Sequence, residues 1–104
     1  MPILEIAVQH AGDERVVCLQ GELDMSEAAR VRDTLAGASG RTVVDLAEVT
    51  FIDAAGLGAI LSARTDLRRR GHQLVLRNPN PRVRIVFELA DLTQLLEEDP
   101  PTGR

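Results

Sequence analysis

Few residues of this sequence could carry catalytic chemistry. The serines are Ser26, Ser39 and Ser62, and none lies in a G-x-S-x-G elbow or has an evident histidine partner. His10 and His72 have no Asp, Cys or second His at metal-ligand spacing, so we expect both to be solvated loop residues. No phosphate-binding glycine loop is present. The sequence therefore predicts a protein that is not an enzyme and needs no metal or cofactor.

The single cysteine, Cys18, lies within the apolar run Val16–Leu19. One cysteine provides neither a disulfide framework nor a thiolate metal site. We therefore expect Cys18 to be a buried small hydrophobic residue.

Charge and hydropathy argue against several classes of protein. The net charge of -4 argues against a nucleic-acid partner, because such proteins need a basic face to displace counterions. The apolar runs are only a few residues long, so we predict no membrane insertion and no signal peptide, and expect a cytoplasmic protein.

The length of 104 residues suits one domain. We place it at residues 1–97, followed by a flexible, acidic and proline-bearing tail at 98–104.

Hydrophobic periodicity and turn residues divide the chain into strands and helices. We predict four strands, over 3–8, 15–23, 42–46 and 74–76, and the third of these continues as an irregular extension over 49–52. We predict three helices, over 26–38, 53–70 and 81–90. Residues 92–96 form a last short strand or a turn. The third helix is expected to bury Val83, Val86, Phe87 and Ala90. The order ββαβαβα predicts an α/β fold, a mixed four- to five-stranded sheet with helices packed on it.

Two aspartates are predicted to cap helices. Asp24 stands three residues before Glu27, which is the capping-box spacing, and Asp53 occupies the N-cap position of the second helix. Gly56 and Gly58 each cost about 1 kcal/mol inside a helix relative to alanine. Their presence predicts a close approach to this helix, either by the sheet of the same chain or by a partner.

The stretch from Val43 to Gly58, VVDLAEVTFIDAAGLG, resembles the signature of STAS domains (sulfate transporter and anti-sigma factor antagonist). In that signature a central strand, an aromatic-hydrophobic-Asp step and a Gly-Leu-Gly helix start follow one another at this spacing. Residues 21–24 also resemble the family's Gly-x-Leu-Asp loop. The resemblance extends over residues 3–96.

This resemblance implies a bacterial transcription regulator, an anti-sigma factor antagonist. Such a protein binds an anti-sigma factor that is a serine kinase of the GHKL ATPase type, and so releases a sigma factor. The implied partner-binding residues are Asp24, Thr50, Asp53, Ala54, Ala55, Gly56, Leu57 and Gly58. For the oligomeric state, a monomer and a weak dimer both remain open.

The family's phosphoacceptor serine directly follows the motif aspartate, and Ala54 occupies that position here. A phosphate there would add about -1.5 to -2 charges and break a closely packed interface without unfolding the domain. Alanine has no hydroxyl, so the chain is expected to be either a constitutively active antagonist or a repurposed domain. Thr50 is the nearest hydroxyl, which makes it a candidate substitute phosphoacceptor or an ordinary β-branched strand residue.

Two other functions stay open. The first is a STAS scaffold or regulatory subunit in another assembly, such as a stress-signalling complex or a lipid-transport ATPase, in which the serine would not matter. The second is a weak nucleotide-binding sensor.

Overall fold

The computed structural model describes residues 3–97 as a five-stranded sheet with three α-helices packed on it. The strands are β1 (Glu5–Ala11), β2 (Glu14–Leu23), β3 (Arg41–Ile52), β4 (Gln73–Arg77) and β5 (Leu96–Glu97), and the helices are α1 (Ala28–Ala36), α2 (Ala54–Arg69) and α3 (Pro81–Leu89). Short 3-10 turns at Met25–Glu27 and Thr93–Leu95 precede α1 and β5. The predicted α/β class and the order ββαβαβα with a short last strand are confirmed. The predicted tail at 98–104 lies outside the described residues.

The strands lie in the sheet in chain order. β1 and β2 form an antiparallel hairpin, and every later pair is parallel. Right-handed crossovers that advance in one direction across a sheet place all connecting helices on the same face. The core is consistent with helices on one face of the sheet, because side chains from all three helices and from one face of the central strands form a single cluster. Its main members are Val17, Leu19, Val31, Leu35, Val44, Leu46, Leu57, Ile60, Leu67, Leu74, Leu76, Val83 and Phe87.

The opposite face of the sheet is only partly covered. Val16 and Cys18 on β2 and Val75 on β4 are half-buried, and they alternate with the core residues. Cys18 is therefore half-buried and not fully buried as predicted, because the two-residue period of the strand turns its side chain away from the helices. Partial desolvation, together with the negative charge of Asp45 opposite it on β3, raises the pKa of the Cys18 thiol. The thiol is therefore protonated at neutral pH.

β3 is longer and more irregular than predicted. The expected strand and its extension form one strand of 12 residues. Relative to β2, β3 gains one extra residue between Asp45 and Glu48 and a second between Val49 and Phe51, so it contains two β-bulges. The Asp45 carboxylate accepts a hydrogen bond from the Ala47 amide (2.9 Å) at the first bulge.

Helix ends follow the sequence signals at α2 and α3 more closely than at α1. α2 ends at Arg69, and Gly71 follows with a φ of +83°, the left-handed stop that was predicted. The predicted first helix begins instead with the 3-10 turn and ends at Ala36. α3 ends at Leu89, so Ala90 is exposed and the prediction that it is buried is wrong.

Candidate docking site

Two loops meet at the carboxyl ends of β2 and β3. The last residues of these strands, Leu23 and Ile52, are directly paired in the parallel ladder. Asp24 and Asp53 follow them and begin the segments that lead into α1 and α2. The structure thus brings the two predicted aspartates to one end of the sheet.

The carboxylate of Asp53 ties these loops together. Oδ1 accepts a hydrogen bond from the Gly56 amide (2.8 Å), which caps α2 as predicted. Oδ2 accepts from the Met25 amide (3.0 Å) in the neighbouring loop. The Asp53 amide donates to the Leu23 carbonyl (3.2 Å). Asp53 therefore fixes the relative position of the two loops as well as the start of the helix.

Asp24 caps the 3-10 turn in a way that differs from the predicted capping box. Its Oδ1 accepts from both the amide (3.0 Å) and the hydroxyl (2.6 Å) of Ser26. The side chain of Glu27 pairs with Arg30 (3.1 Å) instead of reaching back to Asp24. The reciprocal capping box is therefore wrong. The Ser26 hydroxyl is the main reason that the pKa of the Asp24 carboxyl is lowered from its ordinary value.

Gly56 and Gly58 have different surroundings. Gly56 is buried, and a Cβ added there would lie 2.8 Å from Cγ of Leu23 and closer still to the Leu23 carbonyl oxygen. The close packing of α2 on the end of β2 therefore explains why position 56 requires a glycine. Gly58 is exposed, and a Cβ added there would meet no atom within 4 Å. Nothing within the described part of the chain requires a glycine at position 58.

The surface around these loops combines small and apolar groups. Ala54 and Gly58 are exposed one helical turn apart, and Ala55 is half-buried beside them. Gly56 is buried and Leu57 is only 7% exposed, so these two predicted partner-binding residues support the surface from below and do not line it.

Sequence reasoning missed two residues of this surface, Met25 and Phe51. Their side chains are 74% and 49% exposed, which is unusual for large apolar residues. The available signal was their position, since Met25 follows Asp24 and Phe51 is the aromatic of the motif. We call the exposed and half-buried residues at this end of the sheet the Asp53 surface; it consists of Asp24, Met25, Phe51, Asp53, Ala54, Ala55 and Gly58.

Thr50 lies to one side of the Asp53 surface, in the second bulge of β3. It is exposed and lines a small cavity of about 380 Å³ with Asn80, Pro81 and Arg82 at the start of α3. The side-chain amide of Asn80 donates to the carbonyl of Val49, next to Thr50. Thr50 therefore faces the α3 side of this end of the sheet.

Within residues 3–97, no three His, Cys, Asp or Glu side chains are grouped as metal ligands would be. No helix in the same part of the chain is long and apolar enough to cross a membrane.

A sequence model of the family described as "Mlab, STAS domain" matches residues 6–97. The chain belongs to the STAS domain family. This confirms the resemblance that the motif from Val43 to Gly58 carried, and it places the Asp53 surface within the matched STAS domain.

Similar STAS proteins include named regulators. An anti-sigma-B factor antagonist of Listeria monocytogenes is 31% identical over 85 residues, which cover 78% of this chain and 75% of that protein. An anti-sigma F factor antagonist of Paenibacillus polymyxa is 28% identical over 98 residues, covering 89% and 84%. The structure of the anti-sigma factor antagonist SpoIIAA in its unphosphorylated form has a TM-score of 0.78 at 24% identity, covering 92% of this chain and 89% of that one. The last comparison shows a common fold.

Proposed function

We propose that this STAS protein is an anti-sigma factor antagonist that binds an anti-sigma factor through the Asp53 surface and so releases a sigma factor. The names of the relatives in Listeria monocytogenes and Paenibacillus polymyxa support this function. The observation that carries the proposal is the exposure of Met25 and Phe51 beside the loops that Asp53 ties together. The protein acts by binding alone, in the cytoplasm, without catalysis or a cofactor.

The Asp53 surface has the properties that a compact protein interface needs. Full burial of a side chain such as that of Met25 or Phe51 contributes about 1.5–3 kcal/mol, so these residues are suited to be the anchors. Ala54 and Gly58 between them leave room for the partner's backbone to approach α2 closely. A partner that needs this room explains why a helix-destabilising glycine stands at position 58.

The partner in this proposal is a serine kinase of the GHKL ATPase type. Its usual target would be a hydroxyl at the first residue of α2, where a phosphate adds about -1.5 to -2 charges to the interface. Ala54 offers no hydroxyl, so this antagonist is not switched at that position and remains able to bind when ATP is present. Thr50 remains a candidate acceptor on the α3 side of the surface.

The proposal is tested by calorimetric titration of the protein against each serine-kinase-type anti-sigma factor of its source organism, with ADP present. We expect one of them to bind. Ala54→Asp and Phe51→Ala should each weaken binding by about tenfold or more. Ile85→Ala is the matched control, because Ile85 is also about half exposed but lies on α3. The proposal fails if no anti-sigma factor binds, or if the Asp53-surface variants bind as tightly as the control.

If no anti-sigma factor binds, the scaffold function takes the place of the antagonist. The protein would then be a regulatory subunit of another assembly, such as a stress-signalling complex or a lipid-transport ATPase. Affinity purification from the source organism would identify that assembly. A nucleotide-binding sensor would instead show saturable amide shifts with nucleotide alone.

A further inference from the structure

A second concave region lies along the second half of α2, and none of its lining residues belongs to the Asp53 surface. It is a cleft of about 670 Å³ between the second half of α2 and the segments around β4 and β5. Arg64 stands ten residues after Ala54 on α2, which corresponds to about 15 Å along the helix axis. The cleft is therefore separate from the surface proposed to bind an anti-sigma factor, and binding of a ligand in it does not depend on that function.

The cleft is basic although the protein as a whole is acidic. Arg64 and Arg68, one helical turn apart on α2, both line it, and no Asp or Glu is among the lining residues that the structure describes. Within the described part of the chain, neither guanidinium group forms a hydrogen bond or an ion pair. Arg41 and Arg70, by contrast, each pair with a carboxylate. Arg64 and Arg68 are thus two guanidinium groups that share one concavity and have no carboxylate partner among the described residues.

His72 and two glutamines add further hydrogen-bonding residues to the same lining. Nδ1 of His72 accepts a hydrogen bond from the Gly40 amide (3.0 Å), so the proton of the neutral ring is on Nε2. His72 lies in the loop before β4 as predicted, but it is half-buried and so less solvated than expected. Gln73 and Gln94 also line the cleft.

We propose that this cleft is a binding site for a small organic anion whose phosphate or carboxylate groups pair with Arg64 and Arg68. The guanidinium group matches both kinds of oxyanion in charge and in the geometry of its paired donors. Leu74 and Leu95 contribute apolar surface to the lining, which suits the carbon skeleton of such a ligand. The volume is large enough for a small metabolite and exceeds what a single inorganic ion would fill.

The test is a titration of the full chain with inorganic pyrophosphate and, separately, with citrate, followed by two-dimensional amide NMR. Ionic strength is held constant with sodium chloride, because exposed arginines attract any anion at low salt. We expect saturable shifts centred on the amides of His72, Gln73 and Gln94 with at least one of the two probes. A larger response to pyrophosphate would identify a phosphate ligand, and a larger response to citrate a carboxylate ligand.

Variants separate a built site from general attraction of anions. Replacing both cleft arginines, Arg64→Gln and Arg68→Gln, should raise the dissociation constant by about tenfold or more. Arg69→Gln is the matched control, because Arg69 is exposed on the same helix but does not line the cleft. It should change the constant by less than about twofold. The proposal would be overturned if the amide shifts saturated with neither probe, or if Arg69→Gln weakened binding as much as the double replacement does.

Discussion

Gly56 and Gly58 stand two positions apart in α2, yet the fold requires only one of them. Gly56→Ala forces a Cβ against Leu23, so we expect the free energy of unfolding to fall by about 1–3 kcal/mol. Gly58→Ala meets open space and improves helix propensity, so the free energy should rise by about 0.5–1 kcal/mol. Urea denaturation of the two variants measures both changes. Equal destabilisation by the two substitutions would contradict the different surroundings described for these glycines.

Asp24 and Ser26 give a pH-dependent test of the loop that presents Met25. The pKa of Asp24 is lowered mainly by the Ser26 hydroxyl, so the ionised form is favoured in the folded protein. The stability that this adds is present above the ordinary aspartate pKa and is lost as pH falls through the lowered value. Ser26→Ala should move the Asp24 titration midpoint upward, as measured by carboxyl carbon NMR. Ser62→Ala is the control, because Ser62 is also exposed but lies on α2, and it should leave the Asp24 midpoint unchanged.

At the scale of the elements, Asn80 joins α3 to the irregular half of β3. Its Oδ1 accepts from the Val83 amide (3.1 Å) as the N-cap of α3, and its Nδ2 donates to carbonyls of the bulged strand at Ala47 and Val49. Asn80→Ala removes both roles and should lower the free energy of unfolding by about 2 kcal/mol. Asn80→Asp keeps the cap but loses the donor, so a smaller loss is expected in chemical denaturation. If the aspartate variant were as stable as the natural protein, the link to β3 would contribute nothing.

The ends of α2 and α3 could be predicted from sequence because their causes are local. Asp53 caps α2, Gly71 provides its left-handed stop, and Asn80 followed by proline begins α3 within a few residues of each boundary. The two bulges of β3 could not be predicted, because they exist only relative to the register of β2. The face on which Cys18 lies could not be predicted either, because the run Val16–Leu19 is apolar throughout and shows no alternation.

For the molecule as a whole, the sequence motif predicted where the Asp53 surface lies but not which residues are exposed on it. Exposure depends on tertiary packing, so sequence reasoning included the buried Leu57 and missed the exposed Met25 and Phe51. The hydrogen bond from the Met25 amide to Asp53 joins residues 28 positions apart, which no local pattern reveals. The cleft along the second half of α2 likewise collects Arg64 and its neighbours from segments that are distant in sequence.

The most direct test of the antagonist function is a competition measurement. A fluorescently labelled sigma factor is bound to its anti-sigma factor kinase, this protein is added with ATP present, and the anisotropy of the label is followed. We expect the sigma factor to be released and to stay free over time, because position 54 has no hydroxyl to phosphorylate, and Ala54→Asp should release much less. Persistent high anisotropy with the natural protein for every kinase and sigma factor pair of the source organism would contradict the antagonist function.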